Sequence, residues 1–152
     1  ILAGYVSGGV CRGLLVGTVV IGISLLFTTI PVNHLALSCL VFLLTAILFA
    51  LAGFINAVFA DSFDDISIIP NFILTPLTYL GGVFYSVDML PELWQKISLA
   101  NPILYIVNSF RYGLIGVTDI DITVALTMII SFIVALIIFS LYLLKKGVGI
   151  KQ

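Results

Sequence analysis

Residues 35–60 read LALSCLVFLLTAILFALAGFINAVFA, a stretch without a single charged side chain. A helix needs about 20 mostly apolar residues to cross the hydrocarbon core of a bilayer. The hydrophobic fraction of the whole chain is 62% and the charged fraction is 9%, which leaves too few polar side chains to cover a water-soluble surface. We therefore predict that residues 35–60 span a membrane and that the chain is a single transmembrane domain over residues 1–152.

Three other apolar stretches surround this one. They cover residues 13–30, 66–85 and 122–144. Their apolar residues form continuous runs, and a lipid-facing backbone must satisfy its own hydrogen bonds, so helices are expected. The predicted fold is all-α and integral to the membrane, with four transmembrane helices.

Residues 99–117 are apolar enough to enter a membrane but do not read as a fifth span. The pair Asn101-Pro102 breaks a helix at one end of the stretch, and Arg111 would be costly at the bilayer centre. We predict that residues 90–97 and 99–117 form a helical hairpin. This re-entrant hairpin, within residues 86–117, would dip into the outer leaflet before the last span without crossing it.

The basic residues predict the orientation, because Lys and Arg are enriched on the cytoplasmic side. Four crossings place both ends of the chain on one side, which we expect to be cytoplasmic, with residues 61–65 inside and residues 86–121 outside. The basic residues expected inside are Arg12, Lys145, Lys146 and Lys151, against Lys96 and Arg111 outside.

Small residues recur at helical spacing in the first two spans. Gly9, Gly13 and Gly17 form two successive GxxxG steps, and residues of the second span form a similar stripe, namely Ala46, Ala50, Gly53, Ala57 and Ala60. Such stripes let helix backbones approach closely in lipid. Packing within the chain explains them, and a subunit interface is the alternative.

The sequence carries no pattern typical of catalysis, nucleotide binding or metal binding. No GxxxxGK[ST] loop, HExxH, CxxC or GxSxG motif is present, and His34 is the only histidine. The net charge of −1 gives no basic footprint for nucleic acid. We expect neither an enzyme nor a cofactor site in this chain.

Two short polar patterns are candidates for function. Ser62 and Asp65 resemble a capping box at the start of the third span, with Asp64 beside them; capping explains the pattern, and contact with a cytoplasmic partner is the alternative. Arg111 lies among aromatic residues typical of a membrane interface, where snorkelling to headgroups competes with an ion pair to Glu92 or Asp119.

The third predicted span is interrupted by helix-disrupting and polar residues. These are Pro70, Asn71, Thr75, Pro76 and Thr78. Proline removes a backbone donor and leaves a carbonyl free within the helix. Ordinary packing kinks are one explanation, and a polar, adaptable surface along a translocation route is the other.

An ordered series of motifs resembles the permeases of bacterial type-2 ABC exporters, in particular an inner-membrane subgroup. Residues 63–70 read FDDISIIP and residues 74–86 read LTPLTYLGGVFYS. The pairs Leu90-Pro91 and Asn101-Pro102, with Trp94 between them, and residues 110–113 (FRYG) continue the match in the same order.

This resemblance implies a membrane subunit that exports a substrate, pairs with a separate ATPase that binds the ATP, and dimerises. It also implies a bacterial inner-membrane protein of six spans, of which this chain holds the C-terminal part, with residues 1–12 as the distal part of a cytoplasmic coupling region. The corresponding coupling residues would be Arg12, Asp64 and Asp65, and the route or gate residues would be Pro70, Asn71, Thr75, Pro76, Thr78 and Arg111. A passive channel and a structural membrane scaffold are the alternative functions.

Overall fold

The computed structural model describes residues 1–148, which are helical apart from short connections. The α-helices are α1 (Leu2–Phe27), α2 (Leu35–Phe59), α3 (Phe63–Ile69), α4 (Thr75–Leu80), α5 (Glu92–Leu99), α6 (Pro102–Ile115) and α7 (Ile122–Lys145). A π-helical segment, Pro70–Leu74, joins α3 to α4, and a 3-10 turn, Val87–Met89, precedes α5. The all-α prediction is confirmed, while Lys151 lies outside the described residues.

Three helices are long and apolar enough to cross a membrane, namely α1, α2 and α7. Helix α1 begins at Leu2, well before the predicted start near residue 13, and ends at Phe27. Nothing in residues 2–12 breaks a helix, since the only charge there is Arg12 and proline is absent. The predicted coupling region is therefore helical and continuous with the first span.

The third predicted span has a different form from the other three. Helix α3, the π-helical segment and α4 follow one another without a loop, and the helical run ends at Leu80 rather than near Tyr85. No α-helix in this stretch is long enough by itself to cross a bilayer. A fourth crossing by this broken helix remains a prediction.

Helices α1 and α2 pack antiparallel through the small residues noted in the sequence. A Cβ added at Gly9 would lie 2.9 Å from the Cβ of Ala50, and one added at Gly13 would lie 3.5 Å from the Cβ of Ala46. One at Gly17 would overlap the ring of Phe42. The predicted packing within the chain is confirmed for Gly9, Gly13, Ala46 and Ala50.

The buried core lies where α6 packs between α2 and α7. Its central residues are Leu48, Leu51, Tyr105, Ile106, Ala125, Ile129 and Ile133. The C-terminal end of α6 is fixed to the start of α2, because the His34 N–H donates to the Gly113 carbonyl over 2.8 Å. With 14 residues, α6 is about 21 Å long, too short to cross a hydrocarbon core of about 30 Å.

Candidate functional site

Pro70 opens the break in the third helical run. A proline cannot donate to the carbonyl four residues earlier, so Pro70 leaves the Ile66 carbonyl without its helical partner. The side-chain amide of Asn56, in α2, donates to that carbonyl over 2.9 Å. An interhelical hydrogen bond thus replaces the missing one and fixes the first part of the broken helix to α2.

The π-helical segment follows directly and carries the predicted polar residues. The Thr75 N–H and its hydroxyl, the latter over 3.2 Å, both donate to the Pro70 carbonyl, five residues earlier. Asn71, Thr75 and Pro76 are exposed, and Thr78 is half-buried with its hydroxyl bonded to the Leu74 carbonyl over 2.8 Å. Single π turns inside α-helices are frequent at functional sites. The polar groups therefore lie at a local distortion with an open surface.

Asn101 holds the other end of the broken helix. The Gly81 N–H donates to Thr78, so the Leu77 carbonyl lacks its usual helical donor. The side-chain amide of Asn101, which is 2% exposed, donates to this carbonyl over 2.6 Å. Its side-chain oxygen accepts from the Ile103 N–H over 3.0 Å and so caps α6. One buried side chain thus joins α4 to the tip of the α5–α6 hairpin.

Arg111 joins the hairpin to both neighbouring segments. Its guanidinium donates to the Gly82 carbonyl over 2.7 Å and to the Asp119 carboxylate over 3.3 Å. The two charged side chains are 26% and 21% exposed, so the pair is partly screened from water. Of the two ionic partners weighed from the sequence, the structure places Asp119 and not Glu92 beside Arg111.

Asp119 is held from two further directions. Its carboxylate accepts a 3.0 Å hydrogen bond from the Ser86 hydroxyl, and its N–H donates to the buried Asn108 side chain over 3.0 Å. Gly82 has a φ of +74°, a conformation that L side chains rarely adopt. We call Gly82, Ser86, Asn108, Arg111 and Asp119 the external cluster, after the side of the membrane predicted for residues 86–121. It ties the turn after α4, helix α6 and the connection to α7 together.

The two candidate aspartates before α3 have different surroundings. Asp65 accepts from the Ser62 N–H over 3.0 Å while its own N–H donates to the Ser62 hydroxyl over 3.2 Å, so the capping box is complete. Asp64 is exposed, and its carboxylate has no hydrogen-bond or ionic partner among the described residues. Capping therefore accounts for Asp65 and leaves Asp64 available.

Arg12 lies far along the chain from the other predicted site residues and does not contact them. It lines an open groove between α1 and α2 and has no hydrogen bond or ion pair within residues 1–148. The predicted residues thus lie at four separate places, namely the broken helix, the external cluster, the capping box and the groove, and do not form a single site. No three His, Cys, Asp or Glu side chains among the described residues lie close enough to share a metal ion.

Sequence reasoning missed the side chains that hold the broken helix. Asn101 was noted only as a helix breaker, and Asn56 and Asn108 were not singled out. The available signal was an amide side chain inside an apolar run, where an unpaired polar group is costly and therefore seeks an interhelical partner.

Comparison with known proteins places this geometry in context. The family model described as ABC-2 type transporter matches residues 1–115. The inner membrane transport permease YadH of Escherichia coli (strain K12) is 49% identical over 152 residues, which is the whole of this chain and 59% of the relative. Nodulation protein J of Rhizobium leguminosarum bv. viciae is 24% identical over 149 residues, 56% of its length. No solved structure was found to match.

Proposed function

Because this chain belongs to the ABC-2 type transporter family, we propose that it forms part of the translocation route of an ATP-driven exporter and is coupled to a separate ATPase. It spans 59% of the length of its Escherichia coli relative, which is named an inner membrane transport permease. We place the protein in a bacterial inner membrane, where it works as a dimer with both ends of the chain cytoplasmic.

The broken helix is the observation that carries this proposal. Its π-helical segment exposes Asn71 and Thr75, while Asn56 and Asn101 hold the segments on either side. A distortion fixed at its ends and open along one side provides hydrogen-bonding groups without charge. We propose that this run, including Pro70, Pro76 and Thr78, crosses the membrane as the fourth span and lines the route of the substrate.

The α5–α6 hairpin closes the outer end of that route in this proposal. Helix α6 is too short to cross, yet its first turns belong to the buried core with α2 and α7. That placement supports a re-entrant element, since a non-crossing backbone is tolerated at depth where protein covers it. The external cluster then fixes the hairpin against the end of α4, and Arg111 acts as part of the gate.

The cytoplasmic end supplies the contact with the ATPase. Asp64 is exposed and unpaired among the described residues, immediately after the end of α2. An ATPase that contacts this surface differently in its two nucleotide states would shift the equilibrium between permease conformations. We assign Asp64 to that contact and Asp65 to the capping that presents it.

Affinity purification of the complete permease from native membranes tests the function. We expect an ATPase to co-purify in a fixed ratio and to lose its association when Asp64 becomes Lys. Residues 1–152 contain no phosphate-binding loop, so we expect the permease without its ATPase not to hydrolyse ATP. A permease that conducts its substrate down a gradient without any ATPase would instead be a passive channel, and the exporter proposal would be abandoned.

A further inference from the structure

Arg12 is an unusual residue in its helix. Apart from Lys145 in the last turn of α7, it is the only charged side chain in the three long helices. Intramembrane charges are rare because their insertion costs roughly 2.5–3.5 kcal/mol or more, and they tend to face an interior or a water-filled cavity. An anionic partner would offset this insertion cost.

The packing of α1 on α2 fixes the depth of Arg12. Gly9 contacts Ala50 and Gly13 contacts Ala46, so Arg12 lies level with Ile47, the middle residue of α2. Ten residues of helix, about 15 Å, separate it from the Leu2 end of α1. A single side chain does not reach the membrane surface over that distance, so snorkelling does not account for Arg12.

The surroundings of Arg12 form an amphipathic groove. It has a volume of about 800 Å³ and is open rather than enclosed. Its apolar lining includes Val16 of α1 with Phe42 and Phe49 of α2, and Gly8 of α1 leaves open space. A large apolar surface with one convergent charge is typical of a ligand site, and this volume lies within the usual range for one.

No carboxylate within residues 1–152 lies at the level of Arg12 in the long helices. The sequence has seven acidic residues. All of them lie in connections or in the first turns of α3 and α5, and none lies in α1, α2 or α7. No carboxylate within residues 1–152 therefore pairs with Arg12.

We propose that the groove between α1 and α2 binds an anionic lipid, with its acidic headgroup at Arg12 and its acyl chain along Val16, Phe42 and Phe49. A lipid can enter the groove sideways from the bilayer because the groove is open. A headgroup at mid-depth is in transit between leaflets, so this lipid is a substrate rather than a structural component. The proposal rests on the proposed export function and names its substrate class.

Native mass spectrometry of the complete permease, without its ATPase, measures the binding step. The probes are phosphatidylglycerol and phosphatidylcholine with the same acyl chains. We expect preferential retention of phosphatidylglycerol, weakened about ten- to a hundredfold by Arg12→Gln, the size expected when a charge-assisted contact is lost. Arg12→Lys should retain most of the preference, and Lys96→Gln, which removes an exposed charge elsewhere, should leave it unchanged.

A second pair of variants tests the groove without touching the charge. Gly8 and Gly22 both have open space where a side chain would begin, but only Gly8 lines the groove. Gly8→Leu should fill the site and reduce retention of phosphatidylglycerol, whereas Gly22→Leu should not. Equal retention of phosphatidylglycerol by the wild type and Arg12→Gln overturns the proposal, and this result is expected if another protein segment pairs with Arg12. An equal reduction by Gly8→Leu and Gly22→Leu also overturns it.

A transport assay distinguishes a lipid that is a substrate from one that stays permanently bound. In phosphatidylcholine vesicles containing the permease and its ATPase, ATP should drive fluorescent phosphatidylglycerol across the bilayer, and Arg12→Gln should slow this movement as much as it weakens binding. Arg12-dependent binding without ATP-driven movement would refute the substrate assignment. An ATPase that still co-purifies and drives export of some other compound would leave the proposed function intact while this inference fails.

Discussion

The side-chain amide of Asn56 donates a 2.9 Å hydrogen bond to the carbonyl of Ile66, the carbonyl that Pro70 leaves without a helical donor. Asn56 of α2 thus supplies the donor that the Ile66 carbonyl of α3 lacks because of Pro70. The bond lies near the end of α2, where the broken helix begins. It therefore determines the direction in which that helix leaves α2.

Asn56→Leu should destabilise the protein by about 0.5–1.5 kcal/mol, the range found for interhelical hydrogen bonds in membranes. In a Pro70→Ala background the residue 70 N–H can bond to Ile66, so the same substitution should cost much less. Thermal unfolding in detergent measures both effects. Ser24→Ala, which removes a hydroxyl bonded only within α1, serves as the control. Equal losses in the two backgrounds would show that Asn56 does not act through Pro70.

Arg111→Ala should reduce export more than it reduces the amount of assembled permease. The substitution removes the Arg111 donor from the Gly82 carbonyl and one of the two side-chain donors to the Asp119 carboxylate, and we expect a stability loss of about 1 kcal/mol for this partly exposed pair. Arg111→Lys keeps the charge but not the planar fork, so partial rescue is expected.

Export by the complete permease with its ATPase, alongside the amount of complex in the membrane, measures the effect of each Arg111 variant. Asp119→Asn should resemble Arg111→Ala, whereas Glu92→Gln should behave as wild type because Glu92 is not the ionic partner. Full export by Arg111→Ala at normal complex levels would leave Arg111 as a simple interface anchor.

Asp64 and Asp65 should respond differently to neutralisation. Asp65→Ala removes half of a capping box and should cost about 1 kcal/mol in stability. Asp64→Asn should lower the unfolding temperature less than Asp65→Ala does, because it removes only a favourable interaction with the helix dipole, and it should lower the amount of ATPase that co-purifies. Matched thermal unfolding and co-purification of both variants provide the measurement. A normal ATPase yield with Asp64→Asn would remove this residue from the proposed contact.

Single cysteines at positions 88 and 146 should react with a membrane-impermeant reagent from opposite sides. Asp88 lies before the external hairpin in our topology, and Lys146 follows the last turn of α7. Cys11 and Cys39 are both free thiols, so the background must lack them. Because Arg12 lies level with the middle of α2, the charge bias that predicts the orientation depends on the lysines after α7, and the labelling tests it directly. Labelling of both cysteines from the same side would reject the topology.

The sequence by itself determined that the chain is helical and belongs in a membrane, because a long uncharged run in lipid is stable as a helix. It also predicted which face of α1 packs closely on another helix, since Gly9, Gly13 and Gly17 recur at a spacing that places them on one side of a helix. Proline positions further predicted where the third helical run is disturbed. These features depend on residues close together in the chain, which is why they can be read from it.

Only the tertiary structure decided which groups compensate those disturbances and how deep each charge lies. Asn101 reaches Leu77 across 24 positions of sequence, and Arg111 reaches Gly82 across 29. The depth of Arg12 follows from the register of α1 on α2, and local patterns could not give it because the predicted helix began after that residue. Hydrogen bonds between helices depend on the relative rotation and shift of elements far apart in sequence, and packing fixes these only when all the helices are in place.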